Sequence, residues 1–188
     1  MMTLYKTRGT LMKWLATVFF LLTFSTGVAV AGDMATGAGK APEPMELLGA
    51  IADRDAPTAL GLLQAGVDPN AHDGDNRTAL MYAAASGQLE IMKGLLAKLA
   101  DPNLVTPDGT TALISAVLYG DPKGVELLLR ANVNVNSRDF KGLTALTYAQ
   151  ERLRTAGPGK SLPEVMSYSM SKEYQAIIVM LKKAGATE

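Results

Sequence analysis

Apolar side chains fall along this chain in short runs that come in pairs, each spaced as one face of an α-helix requires. Leu47, Leu48, Ala50 and Ile51, with Met45 before them, precede Ala59, Leu62 and Leu63, while Leu80, Ala83 and Ala84 precede Ile91, Leu95 and Leu96. Val125, Leu128 and Leu129 form the second run of a third pair. The pattern therefore predicts helix, turn and helix, several times over. The runs also keep a register, because Thr78-Ala79-Leu80 recurs as Thr111-Ala112-Leu113 and as Thr144-Ala145-Leu146, 33 residues apart each time. Leu62-Leu63, Leu95-Leu96 and Leu128-Leu129 keep the same spacing, as do Asn70, Asn103 and Asn136. A fixed period of this length marks a stacked repeat protein, whose single unit exposes too much apolar surface to stand alone. Counting back places Met45 at the Thr position of a first, degenerate copy that ends in Gly66-Val67-Asp68-Pro69-Asn70.

Local chemistry agrees with that reading. Thr78, Thr111 and Thr144 are placed to cap the first helix of each unit, accepting a bond from backbone N–H groups that have no partner inside the helix. Gly87 and Gly120 are placed to end such helices in the left-handed conformation. Asn76, Gly109 and Gly142, just before the threonines, tolerate positive φ in a tight turn. The small Ala83-Ala84 pair lets one inner helix approach the next.

The run from Asn76 through Arg77-Thr78-Ala79-Leu80-Met81-Tyr82 to Ala83-Ala84-Ala85-Ser86-Gly87, with the leucines and Asp-Pro-Asn that follow, resembles an ankyrin repeat. Ala takes the place of the family's usual Pro after Thr, and Met81, Ile114 and Thr147 take that of its usual His. The resemblance implies an all-α solenoid of about four helix-turn-helix units joined by β-turn fingers. The repeats fall at about 45–72, 73–105, 106–138 and 139–188, after a flexible Gly/Ala/Pro-rich linker at 32–44. It further implies a non-enzymatic module that binds a protein partner on the concave side, through finger and inner-helix positions. The candidate partner-binding residues are Asp75, Arg77 and Ser86 in the second unit, Asp108, Thr110, Leu118 and Tyr119 in the third, and Phe140, Lys141 and Leu143 in the fourth. Tyr82 and Tyr148 share the stripe with two readings open, a partner contact or partial burial between helices.

The fourth unit departs from the period. Its second helix is marked by Leu181 and Gly185, so about 20 residues are inserted near 153–172. Ser161-Leu162-Pro163-Glu164 has the form of a capping box, from which a helix runs through Met170 towards Leu181; the other reading is a long loop and a short terminal helix. A ligand-binding or hydrolytic protein built around this insertion is the rival to the binding module. Gly157-Pro158-Gly159-Lys160-Ser161 imitates the end of a phosphate loop, but Arg154 stands where its first glycine is required, so a structural turn is expected.

Charge and composition narrow the chemistry. The 18 basic and 18 acidic residues cancel, and the first 31 residues hold Lys6, Arg8 and Lys13 with no acid, which leaves 15 basic against 18 acidic in the remainder. No basic stripe for nucleic acid follows. Without cysteine there is no thiolate site. Asp68, Asn70, His72, Asp73 and Asp75 crowd one turn, yet they lack the spacing of a calcium loop and include the single histidine. No catalytic residue, cofactor or metal is expected, and His72 is expected in solvent or against a partner. Residues 1–31 combine a basic start, an apolar core from Trp14 to Phe24 and Ala29-Val30-Ala31, the form of a signal peptide. Cleavage after Ala31 would leave the repeats periplasmic or secreted; retention would anchor them to the inner membrane, facing the periplasm. A membrane is a partner only in that second case.

Overall fold

A computed structural model describes residues 43–155 and 164–187, and among them the chain forms eight helices and no strand. They come in four pairs: α1 (Pro44–Ala52) with α2 (Ala56–Gln64), α3 (Ala79–Ala85) with α4 (Leu89–Ala97), α5 (Ala112–Tyr119) with α6 (Pro122–Arg130), and α7 (Ala145–Thr155) with α8 (Glu164–Lys183). The first members pack on one another as an inner layer and the second members as an outer layer. This is an all-α repeat solenoid. None of these helices is long and apolar enough to cross a membrane, and the expected signal segment and most of the linker lie outside the described residues.

Five of the helices start where a side chain satisfies free N–H groups of the first turn. Thr78, Thr111 and Thr144 accept from Met81, Ile114 and Thr147 N at 3.3, 3.1 and 3.3 Å. Asp55 and Asp121 do the same for α2 and α6, accepting from Thr58 and Lys123 N, with a proline in each first turn. Neither α1 nor α4 has a side-chain cap; α1 begins at Pro44, so Met45 lies inside the helix and stays 65% exposed. Gly87 and Gly120 end α3 and α5 at φ 67° and 81°. Gly87 has a second duty, because a Cβ there would stand 2.3 Å from the Tyr119 ring.

The core runs along the seam between layers. Leu47, Ile51, Leu63, Leu80, Ile91, Leu95, Leu113 and Leu128 are sealed from solvent, with Met81 and Ile114 filling the place of the family's usual histidine. Leu96 and Leu129, expected from the register to be buried between units, are only half-buried; Leu95 and Leu128 take that place. Helix geometry explains the difference. Leu95 lies four residues after Ile91 and three after Met92, on their stripe, and Leu96 is turned about 100° away from Leu95.

The recurring asparagines join the units edge to edge. Asn70 Oδ1 accepts from Asp101 N at 2.8 Å, Asn103 Oδ1 from Asn134 N at 2.7 Å, and Asn136 Oδ1 from Thr187 N at 2.8 Å. Each side chain thus satisfies a backbone donor of the following unit.

The fourth pair absorbs the extra residues by growing longer. α7 has 11 residues against nine, seven and eight in the earlier inner helices, and α8 has 20 against nine in each earlier outer helix. The rival reading of the insertion, a long loop before a short terminal helix, does not fit α8. Tyr174, Ile177 and Leu181 on α8 are buried, and the Tyr174 hydroxyl meets Gly120 and donates to Leu118 O at 3.4 Å. The turn expected at 157–161 and the capping Ser161 lie outside the described residues.

Candidate functional site

The fingers between units are built from hydrogen bonds that fix where their side chains project. In each, a β-turn closes on a residue of positive φ: Asn76 N donates to Asp73 O, Gly109 N to Thr106 O and Gly142 N to Asp139 O, at 3.1, 2.8 and 2.9 Å. A second bond pins the base, from Asp73 N to Arg77 O, Thr106 N to Thr110 O and Asp139 N to Leu143 O. Gly109 also sits so close to the next finger that a Cβ would lie 2.7 Å from Asp139 Cα. Successive fingers touch there, with Phe140 N donating to Asp108 O at 2.9 Å.

A carboxylate locks the finger in two units. Asp73 Oδ1 accepts from Asp75 and Arg77 N, and Asp139 Oδ1 from Lys141 and Leu143 N. The other carboxylate oxygen takes a tyrosine of the inner helix: Tyr82 OH donates to Asp73 at 2.6 Å and Tyr148 OH to Asp139 at 2.5 Å. These bonds hold the Asp73 carboxyl below the ordinary carboxylate range, the Tyr82 hydroxyl contributing most. Burial pulls Asp139 upward, but the Tyr148 hydroxyl and the two backbone donors outweigh it, so it too is held low. Tyr148 is pushed up to about 12 by its bond to Asp139, then by burial and the nearby negative charge. Tyr82 and Tyr148 are half-buried, and their hydroxyls brace the fingers.

Beside these braces runs a groove of about 470 Å³ that draws on three successive units. Arg77 comes to it from the second; Asp108, Thr110, Leu118 and Tyr119 from the third; Phe140 and Lys141 from the fourth. Phe140 is 71% exposed and Tyr119 49%, an unusual display for large apolar rings. Two cations sit by rings, Lys141 Nζ 5.5 Å from the Phe140 centroid and Arg77 5.6 Å from that of Tyr82.

The remaining candidates are placed elsewhere. Asp75 lines a smaller adjoining recess with Arg77, Thr106, Pro107 and Asp108. Ser86 is engaged within the stack: its hydroxyl donates to Tyr82 O at 2.7 Å and accepts from Gln88 Nε2, which also reaches Ile51 O. Leu143 is half-buried, its N–H held by Asp139, and it lines neither hollow. Four liners outside the candidate set are Ala85, Ser115, Asp139 and Tyr148. The signal for Asp139 was present, since an Asp stands nine residues before a Tyr in both the second and fourth units. His72 is exposed, its Nδ1 2.9 Å from Asp73 O.

Residues 47–139 match the family model for ankyrin repeats, in three copies. The chain belongs to the ankyrin-repeat family. It is also 33% identical, over 124 residues, to the E3 ubiquitin-protein ligase hecd-1 of Caenorhabditis elegans. That stretch is 65% of this chain but 5% of the ligase, so the likeness spans a small part of that protein's length. Ankyrin repeats suggest protein–protein interaction, and domains built from them are typically non-enzymatic.

Proposed function

We propose that this ankyrin-repeat protein acts without catalysis, binding a protein partner in the groove formed by the fingers and inner helices of its second, third and fourth units. The observation that carries this is the convergence of Tyr119, Phe140, Arg77 and Lys141, from three units, on one hollow with the rings left open. Aromatic and arginine side chains of this kind dominate interface energetics. The fingers are already locked by Asp73, Asp139 and backbone bonds, so little order remains to be lost on association. The described part of the insertion is helical and continues α7 and α8, which favours the groove over an insertion-centred function.

Export belongs to the same proposal. The basic start, the apolar core at 14–24 and Ala29-Val30-Ala31 support cleavage before Gly32 and a periplasmic or secreted module. N-terminal sequencing of the processed protein should begin at Gly32; residues 1–31 retained in a membrane fraction would establish the anchored form.

The binding claim is tested by capture from that compartment. A partner recovered by crosslinking should lose affinity when Arg77, Tyr119, Phe140 and Lys141 are replaced by Ala, each anchor contributing about 1–2 kcal/mol, with circular dichroism unchanged. Unaltered affinity in folded variants would refute the groove.

A further inference from the structure

The groove has a floor that breaks the pattern of its neighbours. The inner-helix position held by Tyr82 in the second unit and Tyr148 in the fourth carries Ser115 in the third, and the finger position held by Asp73 and Asp139 carries Thr106. Both halves of the brace are therefore exchanged together. Asp108 has taken over the finger instead, its carboxylate receiving the Thr106 and Thr110 hydroxyls and Thr110 N. The first unit has Gly49 at the tyrosine position, and its matching finger lies outside the described residues.

Loss of the ring leaves a recess at Ser115. This serine is 8% exposed, and its hydroxyl has no hydrogen-bond partner among the described residues although it lines the groove. Its oxygen is not among the sealed, unpartnered polar atoms of the described residues, so it is open to the groove and within reach of a guest. The same groove is lined by Leu118, Tyr119, Phe140, Tyr148 and Asp108.

We propose that this recess receives a tyrosine side chain of the protein partner, seated where the chain's own tyrosines sit in the second and fourth units. The inference rests on the groove being the partner surface, as proposed above. Ring stacking on Tyr119 and Phe140 suits an aromatic guest. The Ser115 hydroxyl and the Asp108 carboxylate offer acceptors for a phenol, which phenylalanine would leave unused. With Arg77 and Lys141 set against Asp108 and Asp139, the lining carries no net charge, which suits a neutral guest.

The test uses the ¹⁵N-labelled chain as the cell processes it, titrated with N-acetyl-tyrosine amide, N-acetyl-phenylalanine amide and N-acetyl-leucine amide. The tyrosine probe should shift the amides of Ser115, Tyr119 and Phe140 saturably, the phenylalanine probe should bind several-fold more weakly, and the leucine probe should give no saturable shift. The double substitution Thr106→Asp with Ser115→Tyr supplies the chain's own brace and should weaken the tyrosine probe at least tenfold. Should that variant fail to fold, Ser115→Ala keeps the recess open and should abolish the preference for tyrosine over phenylalanine. No saturable shift, equal response to all three probes, or undiminished binding by the folded double variant overturns the proposal. Partner capture separates the two levels. A partner lost on alanine substitution in the groove, with no probe binding, rejects the tyrosine recess and leaves the groove. Probe binding with a partner indifferent to those substitutions rejects both.

Discussion

Asn103 and Asn134 are joined across two units, the side-chain oxygen of the first accepting the backbone N–H of the second at 2.7 Å. The same link recurs from Asn70 to Asp101 and from Asn136 to Thr187, so the outer loops of the stack are tied in a ladder. Removing the Asn103 oxygen leaves one backbone donor without its protein partner. Asn103→Ala should cost about 1 kcal/mol in urea unfolding, and Asn103→Asp, which keeps an acceptor, should cost clearly less. Equal losses for the two would show that the link does not stabilise the stack.

The 33-residue register, the threonine caps and the positive-φ sites at Asn76, Gly109 and Gly142 were legible because each depends on its own few neighbours. What the side chains of Asn70, Asn103 and Asn136 do was not, since their partners lie 31 to 51 residues away. That Leu95 is sealed and Leu96 only half-buried depends on phase against Ile91 and Met92, which the 33-residue spacing of the leucine doublets does not record. In the groove, the exposed rings of Tyr119 and Phe140 could be placed from the repeat alone. Ser86 and Leu143 share that register, but Ser86 is diverted by Gln88 and Leu143 turns partly inward, and no local pattern records such competition.

The core assignment separates the two leucines of α4. Leu95 is fully enclosed and Leu96 is not, so Leu95→Ala should destabilise by about 2–5 kcal/mol and Leu96→Ala by markedly less. In a stack the larger loss should spread to adjoining units, lowering the urea midpoint seen by probes placed in α2 and α6. Equal effects of the two substitutions would contradict a helix α4 that turns Leu95, and not Leu96, into the core.

Leu99 offers a gain in stability. It has φ 65° and is 84% exposed, at the position where Gly66 and Gly185 end the outer helices of the first and fourth units at φ 93° and 87°. A leucine in this conformation costs about 1 kcal/mol or more and buries nothing in return. Leu99→Gly should raise the thermal midpoint, and a lower midpoint would show that the side chain has a packing role.

The Tyr148–Asp139 brace predicts a window of pH. Asp139 is held below its ordinary value on folding, so its contribution is present above the unfolded carboxyl pKa near 4 and is lost as pH falls through the lower folded value. Tyr148 is raised to about 12, so its contribution is complete below the unfolded phenol pKa near 10 and is lost as pH climbs from there to about 12. Tyr148→Phe should lower stability by about 1.5 kcal/mol at pH 7 and flatten the alkaline limb. Chemical denaturation across pH 3 to 12 would reveal it, and an alkaline limb unchanged by the substitution would show that Tyr148 does not carry it.

A photo-crosslinker placed in the groove tests the central claim most directly. With p-benzoylphenylalanine at position 119, on the groove, and in a second variant at position 123, on the exposed outer helix α6, the protein is irradiated in its native compartment and its adducts are resolved by mass spectrometry. A discrete protein adduct from position 119 and none from position 123 is the predicted result. The same adduct from position 123 alone would place the partner on the outer layer and contradict the groove.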